Sequence, residues 1–115
     1  MKRVLLVEDE IITKEALSKL CELLGCNVKC CDNGLSAYEE FCNGSFDIVI
    51  SDIKMPKMDG IELAKKIREK NKEIPIIVCS GEITSSVEIV LKKIGVTKFI
   101  KKPFKFNEIA ELLNL

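Results

Sequence analysis

The chain has 115 residues, of which 47% are hydrophobic and 31% charged, so it is long enough for one core but too short for a catalytic domain with a separate cap domain. Eighteen basic and eighteen acidic residues give a formal charge of zero, and we expect no direct binding of nucleic acid and no attraction to an anionic membrane. The absence of histidine excludes any mechanism that needs an imidazole base or nucleophile from this chain.

The first predicted element is a strand from Arg3 to Glu8. Its apolar residues 4–7 form a continuous run, which is typical of a strand covered on both faces. The run ends after four residues without a cleavage site, so it is too short for a signal peptide or a membrane span. We therefore expect a single domain over residues 1–115 that is not exported and lies in the cytoplasm.

A first helix and an edge strand follow. The helix is predicted from apolar residues at helical spacing that stop at Gly25, namely Ile12, Ala16, Leu17, Leu20 and Leu24. Residues 27–31 are fewer and alternate around Lys29. A charged residue in an alternating run favours a strand at the edge of a sheet.

A second helix is predicted after the turn Asp-Asn-Gly at residues 32–34. This helix carries Ala37, Tyr38 and Phe41 and ends at the Asn-Gly pair of residues 43–44.

The third predicted strand, residues 46–50, is rich in β-branched residues and is followed closely by Asp52. The chain then leaves the strand because Pro56 has no amide hydrogen and Gly60 readily leaves the extended conformation. Asp52 therefore stands at the carboxyl end of a rigid strand, beside a loop. Taken alone, an aspartate there can also be a residue that merely ends a strand.

The third helix is predicted from Ile61, Ala64 and Ile67, and residues 75–80 form a further continuous apolar run that predicts a buried fourth strand.

The last helices enclose a second edge strand. The fourth helix closes at Gly95 and is predicted from Val87, Val90, Leu91 and Ile94. Residues 97–101 alternate like an edge strand, which Lys102 and Pro103 end. The fifth helix is predicted from Ile109, Leu112 and Leu113.

Five strands alternating with five helices predict an α/β fold, a doubly wound parallel sheet with helices on both faces. The continuous runs belong in the middle and the alternating runs at the edges, which matches the strand order 2-1-3-4-5. The switch point of that order lies between the first and third strands, where ligands of such folds bind.

Polar residues follow four of these strands. Glu8 and Asp9 close the first, Asp52 the third, Ser80 the fourth and Lys102 the fifth. Carboxylates at a separation of about 5 Å repel by roughly 3 kcal/mol per pair at an effective dielectric of about 20, so the cluster needs a cation. Oxygen ligands with open positions favour Mg²⁺, and a hydroxyl with a lysine suits a phosphoryl group carried by Asp52.

Four motifs in this order and spacing resemble the receiver domain of two-component response regulators, and the match to chemotaxis-regulator-like receivers covers the whole chain. They are VLLVEDE at 4–10, DIVISDIKMPKMDG at 47–60, CSG at 79–81 and KFIKKPF at 98–104. The resemblance implies a flavodoxin-like fold and a switch activated by phosphorylation rather than an enzyme, one that catalyses only its own phosphorylation and dephosphorylation. Glu8, Ser80 and Gly81 replace the commoner Asp, Thr and Ala, and none of these changes removes a required functional group.

The resemblance also implies roles for individual residues. Asp52 would be the phosphoacceptor, and Asp9, Asp52 and the main-chain carbonyl of Lys54 would bind Mg²⁺, with Glu8 contacting the ion through water. Ser80 would be the hydroxyl of the switch, Lys102 the phosphate-pairing lysine and Phe99 the aromatic residue that changes rotamer.

The resemblance further implies that the phosphoryl donor is a histidine kinase or a histidine phosphotransfer protein, because this chain has no histidine. The output partner, a downstream effector or a fused output domain, would bind the surface of the fourth helix, fifth strand and fifth helix, residues 84–94, 97–101 and 105–114. Lys54 and Glu82 are predicted to flank the path of attacking water and so set the phosphoryl lifetime.

Two other functions have sequence features against them. A flavin-binding module needs small and hydroxyl residues after the first strand, where this chain has Glu8-Asp9-Glu10. A haloacid-dehalogenase-like phosphatase needs a second Asp two positions after the nucleophile, where Lys54 stands. A binding module that is never phosphorylated remains an alternative, as do an edge-protecting role for Lys102 and a plain edge aromatic at Phe99.

The six cysteines are interpreted as small core residues rather than as metal ligands or redox centres. No Cys-x-x-Cys pair occurs and no histidine completes a zinc site. They are Cys21, Cys26, Cys30, Cys31, Cys42 and Cys79.

Overall fold

Strands and helices alternate along the computed structural model, which describes residues 1–113. The elements are β1 Arg3–Val7, α1 Ile11–Leu23, β2 Asn27–Cys31, α2 Gly34–Asn43, β3 Ile48–Ser51, α3 Gly60–Lys70, β4 Ile76–Ser80, α4 Ser85–Lys93, β5 Lys98–Lys101 and α5 Phe106–Leu113. Within these residues no helix has the length and apolar character needed to cross a bilayer. Residue 114, the last of the predicted partner surface, lies outside the described residues.

The five strands form one parallel sheet in the order β2-β1-β3-β4-β5, which confirms the predicted topology. Val7 pairs with Ser51, and Ser80 pairs with Lys101. Because all strands run the same way, the residues that follow them emerge at one edge of the sheet. That edge carries the predicted site.

The core has two layers, one on each face of the sheet. Leu5 and Val7 face the layer under α2, α3 and α4, whereas Val4 and Leu6 face the layer under α1 and α5. The strands β3 and β4 are buried at every position, and β1 at every position after Arg3. Continuous burial explains why these three strands read as unbroken apolar runs.

Three predicted core positions of helices are wrong. Ile12 is 80% exposed and Ala16 is also exposed, although both lie on the predicted stripe of α1. The buried residues of α1 are Leu17 and Cys21, which follow both of these positions along the helix. The first turn of α1 stands beside the carboxyl edge of the sheet, where it has no strand to cover. On α4, Val90 is exposed rather than buried.

The third strand begins two residues later than predicted. Phe46 packs against the core from outside the strand, with the Arg3 guanidinium 5.1 Å from its ring centroid. The Asp47 carboxylate accepts a hydrogen bond of 2.8 Å from the Arg3 backbone N–H. The Asp47 N–H also donates to the Arg3 carbonyl at 2.8 Å, so backbone and side-chain contacts together hold the approach to β3.

The cysteines divide by burial. Cys21, Cys31 and Cys79 are buried, and burial raises the pKa of their thiols to about 12, 11 and 12, so these thiols stay neutral. All six cysteines are free thiols. Cys42 is exposed, so its predicted place in the core is wrong.

Candidate functional site

Three carboxylates meet at the carboxyl edge of the sheet, as the sequence predicts. Glu8, Asp9 and Asp52 each offer one oxygen, and the three oxygens lie within 4.8 Å of one another. The adjacent strands β1 and β3 bring them together, since the Asp52 N–H donates to the Val7 carbonyl at 3.1 Å. Glu8 and Asp52 are 44 residues apart in sequence, and the parallel pairing of β1 with β3 brings them to the same end of the sheet.

Lys102 joins two of these carboxylates. Its Nζ lies 2.6 Å from Glu8 Oε1 and 2.9 Å from Asp52 Oδ2. The backbone N–H of Lys102 donates to the Ser80 carbonyl at 2.9 Å, which continues the β4–β5 pairing by one residue and fixes the start of the side chain. Lys102 therefore lies within the cluster of carboxylates.

Burial and hydrogen bonding shift the pKa values of both partners of this ion pair. Glu8 is only 1% exposed, and burial raises the pKa of its carboxyl above the ordinary value, against hydrogen bonds from Lys102 and from the backbone N–H of Glu10. Burial by itself would lower the pKa of Lys102, but its bonds to Glu8 and Asp52 outweigh this and hold the pKa above its usual range. The ammonium is retained at neutral pH, between two acidic partners.

Asp52 is oriented by both neighbouring elements. Its Oδ1 accepts a hydrogen bond of 2.6 Å from the Ile53 backbone N–H, while Oδ2 accepts from Lys102. Two glycines let the following loop close over this point. A Cβ on Gly60 would lie 2.0 Å from the Asp52 carbonyl oxygen, and one on Gly34 would lie 2.1 Å from the Met58 carbonyl oxygen.

The N-terminal cap of α3 reinforces the same loop. The Asp59 carboxylate accepts from the Glu62 backbone N–H at 2.9 Å and so begins α3. Lys57 adopts a positive φ of 67°, which turns the chain between Asp52 and that cap. The sequence signalled the turn through its Pro and Gly residues but did not reveal how closely Gly34 and Gly60 approach the neighbouring backbone.

The remaining predicted residues lie around this centre. Ser80 is buried at the end of β4, and its hydroxyl donates to the Glu82 carbonyl at 3.3 Å. Phe99 is partly buried and packs against the core layer under α4. Lys54 and Glu82 are both exposed, and no ion pair joins them among the residues that the structure describes.

Apolar residues that sequence reasoning placed elsewhere border the site. A cavity of about 380 Å³ beside Lys102 is lined by Ile12, Ala16, Pro103 and Phe104, with Glu10 and Thr13. The signal that could have found it is the apolar pair Ile11 and Ile12, directly after three acidic residues.

Comparison with known proteins gives a consistent picture. The family model described as the response regulator receiver domain matches residues 4–114. The response regulator receiver protein CpdR of Brucella abortus is 36% identical, over 98% of this chain and 98% of its own. The transcriptional regulatory protein CpxR homolog of Haemophilus influenzae is 35% identical over 95% of this chain, which spans about half, 47%, of that longer protein.

The fold has a similarly close counterpart among solved structures. The Vibrio cholerae chemotaxis protein CheY4 superimposes with a TM-score of 0.93 at 29% identity, covering 99% of this chain and 97% of that one. The similarity therefore extends over the whole sheet and all its flanking helices.

Proposed function

Because the chain belongs to the family of response regulator receiver domains, which are signalling modules controlled by phosphorylation, we propose that Asp52 accepts a phosphoryl group and that residues 1–115 act as one such domain. The observation that carries this proposal is the position of Asp52, with one carboxylate oxygen on the Lys102 ammonium and the other on the Ile53 N–H. Of the two carboxylates that Lys102 contacts, Asp52 is the one that directly follows the central strand β3 and is not fully buried.

The reaction is nucleophilic transfer to a carboxylate. An Asp52 oxygen attacks the phosphorus of a phosphohistidine, the P–N bond breaks, and the imidazole leaves with its electron pair and takes up a proton. The histidine belongs to a separate kinase or phosphotransfer protein, since this chain has none. Ile11 and Ile12 are exposed at the first turn of α1, next to the site, and offer an apolar surface on which that donor can dock.

A divalent cation fits the residues present. Three carboxylates face one ammonium, so the cluster keeps an excess of negative charge, and its donors are all hard oxygens. Asp9 and Asp52 would hold Mg²⁺ directly with the Lys54 carbonyl, and Glu8 through water. Bound Mg²⁺ would neutralise charge as the phosphoryl group approaches.

Two side chains receive the phosphoryl group. The Lys102 ammonium already contacts Asp52 and can pair with a phosphoryl oxygen. Glu8 holds this ammonium in position from the other side. The Ser80 hydroxyl makes only a long bond of 3.3 Å to the Glu82 carbonyl. Exchange of this weak bond for a charge-assisted one to the phosphoryl group draws the β4–α4 loop toward the site.

The output surface is formed by α4, β5 and α5. Movement of Ser80 frees space into which Phe99 turns, and Phe99 shares a packing layer with α4. This surface exposes large apolar side chains, with Ile89 56% and Phe106 50% exposed. A downstream effector or a fused output domain covers them in one phosphorylation state.

The domain catalyses only its own phosphorylation and dephosphorylation, with Lys54 and Glu82 at the entrance for attacking water. We place it in the cytoplasm, since its six free thiols fit a reducing compartment.

Acetyl phosphate tests this function without a cognate kinase. Incubation with Mg²⁺ should add one phosphoryl group, about 80 Da by intact mass, whereas protein treated with excess chelator should add little. An equal adduct in Asp52→Asn would refute the assignment.

A further inference from the structure

A second polar site lies at the opposite edge of the sheet from Asp52. Two adjoining cavities of about 550 and 200 Å³ run between the end of α3, the end of α4 and the start of β5, and Arg68, Lys72 and Gly95 line both. Their cationic lining is Lys65, Arg68, Lys72, Lys93 and Lys98, which we call the basic groove.

The basic groove carries an excess of positive charge. Only Glu69 and Glu73 are acidic among its lining residues. None of its four lysines has a carboxylate within 4.0 Å in the described part of the chain, where the lysines in ion pairs are Lys29, Lys92 and Lys102. The formal charge of the whole chain is zero, but the basic residues are unevenly distributed. Residues 52–115 hold thirteen of the eighteen basic residues and nine of the eighteen acidic ones.

Stabilisation of helix ends accounts for only part of this charge. Arg68 and Lys93 lie in the last turns of α3 and α4, where cations favour the carbonyl end of a helix. Lys65 lies in the middle of α3, and Lys72 lies beyond it. These two lysines contribute little to either helix end, so their convergence on one groove needs another explanation.

Hydrogen bonds of Arg68 fix the shape of the basic groove. The Arg68 guanidinium donates from Nη1 to the Ile74 carbonyl at 2.6 Å and from Nη2 to the Gly95 carbonyl at 3.1 Å. It thereby ties α3 to the segments that enter β4 and leave α4. Gly95 has a φ of 88°, and a Cβ there would lie 3.2 Å from Arg68 Nε. A ligand meets a groove whose shape is fixed before it binds.

We propose that the basic groove binds an acidic peptide segment of a protein partner. Carboxylates of the peptide pair with Lys65, Lys72 and Lys93, and an apolar side chain covers partly buried Ile94 and the methylene stems of the lysines. Nucleic acid fits less well, since Glu69 and Glu73 border the groove and repel a continuous phosphate chain. This inference does not depend on the proposed phosphorylation of Asp52.

Fluorescence anisotropy at low salt tests the proposal. The probe is a labelled peptide of twelve residues, of which eight are Asp or Glu and four are Leu. We expect saturable binding that Lys65→Glu with Lys72→Glu weakens by about tenfold or more, since both lysines are exposed and each reversal turns an attraction into a repulsion. Lys14→Glu with Lys19→Glu on α1 changes the net charge equally and should alter binding less than twofold. Asp52→Asn should bind like the wild type.

Amide NMR shifts should locate the peptide at residues 65–73 and 93–98. The proposal is overturned by an absence of saturable binding, by equal weakening in the α1 control, or by equal binding of the same peptide with Gln and Asn in place of its acids. It is also overturned if a twelve-nucleotide single-stranded DNA binds more tightly than the peptide.

Discussion

Lys102 Nζ lies 2.6 Å from Glu8 Oε1, and Glu8 is buried. This contact joins residues 94 positions apart and holds the ammonium that also touches Asp52. Removal of the lysine leaves an uncompensated carboxylate in the protein interior, which is a strongly unfavourable state.

Lys102→Met should therefore lower the free energy of unfolding at pH 7 by about 3 kcal/mol, measured by urea denaturation. The double variant Lys102→Met with Glu8→Gln is the control, and it should recover most of the loss. A single variant as stable as the wild type would show that Glu8 does not need its partner.

The same variant has a pH dependence with a definite sign. Without Lys102, burial raises the pKa of the Glu8 carboxyl further above its ordinary value of 4.5. A group whose pKa is higher in the folded state favours folding below its unfolded pKa and loses that contribution as pH rises through the folded value. Lys102→Met should thus lose less stability relative to the wild type at pH 5 than at pH 8, and the opposite trend would contradict this account.

Gly60→Ala should disrupt the loop after Asp52. The added Cβ would lie 2.0 Å from the Asp52 carbonyl oxygen, a backbone atom that cannot rotate away. We expect a loss of stability of about 3 kcal/mol or more and slower phosphorylation by acetyl phosphate. The matched control is Gly81→Ala, whose Cβ would meet no atom within 4 Å and which should fold with nearly unchanged stability.

Lys54 and Glu82 should govern how long the phosphoryl group lasts. Both are exposed, lie two residues beyond Asp52 and Ser80 respectively, and carry opposite charges. We expect Lys54→Ala and Glu82→Ala to accelerate dephosphorylation several-fold, measured by the decay of phosphorylated protein after removal of the donor. Lys57 is exposed in the same loop, and the phosphorylated Lys57→Ala variant should decay like the wild type. Unchanged decay in both test variants would show that Lys54 and Glu82 do not control the access of attacking water.

Beryllofluoride with Mg²⁺, which imitates the phosphoryl group, should shift amide resonances well beyond the site. We expect changes across residues 85–93, 98–101 and 106–113, because Ser80 and Phe99 link Asp52 to that face. Phe99 has no hydroxyl that could form a hydrogen bond in either its outward or its inward rotamer. Packing alone therefore sets the free-energy difference between the two rotamers, which we expect to be a few kcal/mol. Ser80→Ala should confine the shifts to the surroundings of Asp52, and the same confinement in the wild type would show that the signal leaves by another route.

The sheet order could be predicted because the burial of each strand determines its hydrophobic pattern. The three central strands are continuous apolar runs, and the two edge strands are interrupted by charged residues. The sequence also predicted that Glu8, Asp9, Asp52 and Lys102 meet, since parallel strands end at one edge. These inferences need only the direction and order of strands.

Other features depend on three-dimensional distances that the sequence does not encode locally. Helical periodicity placed Ile12 on the core side of α1, but it does not show where the sheet beneath the helix ends. Likewise, Cys42 was predicted to be a core residue because cysteine is usually buried, but its side chain is exposed on α2. The direct bond between Glu8 and Lys102 and the close approach of Gly60 to Asp52 depend on atomic positions.

The central claim is that Asp52 carries the phosphoryl group, and identification of the modified residue tests it most directly. After reaction with acetyl phosphate and Mg²⁺, reduction by borohydride converts an acyl phosphate into an alcohol, and tandem mass spectrometry of the digested protein locates that residue. We predict homoserine at position 52, with Asp9 and Asp59 unchanged. A reduced residue at any other carboxylate, with Asp52 intact, would contradict the mechanism proposed for this site.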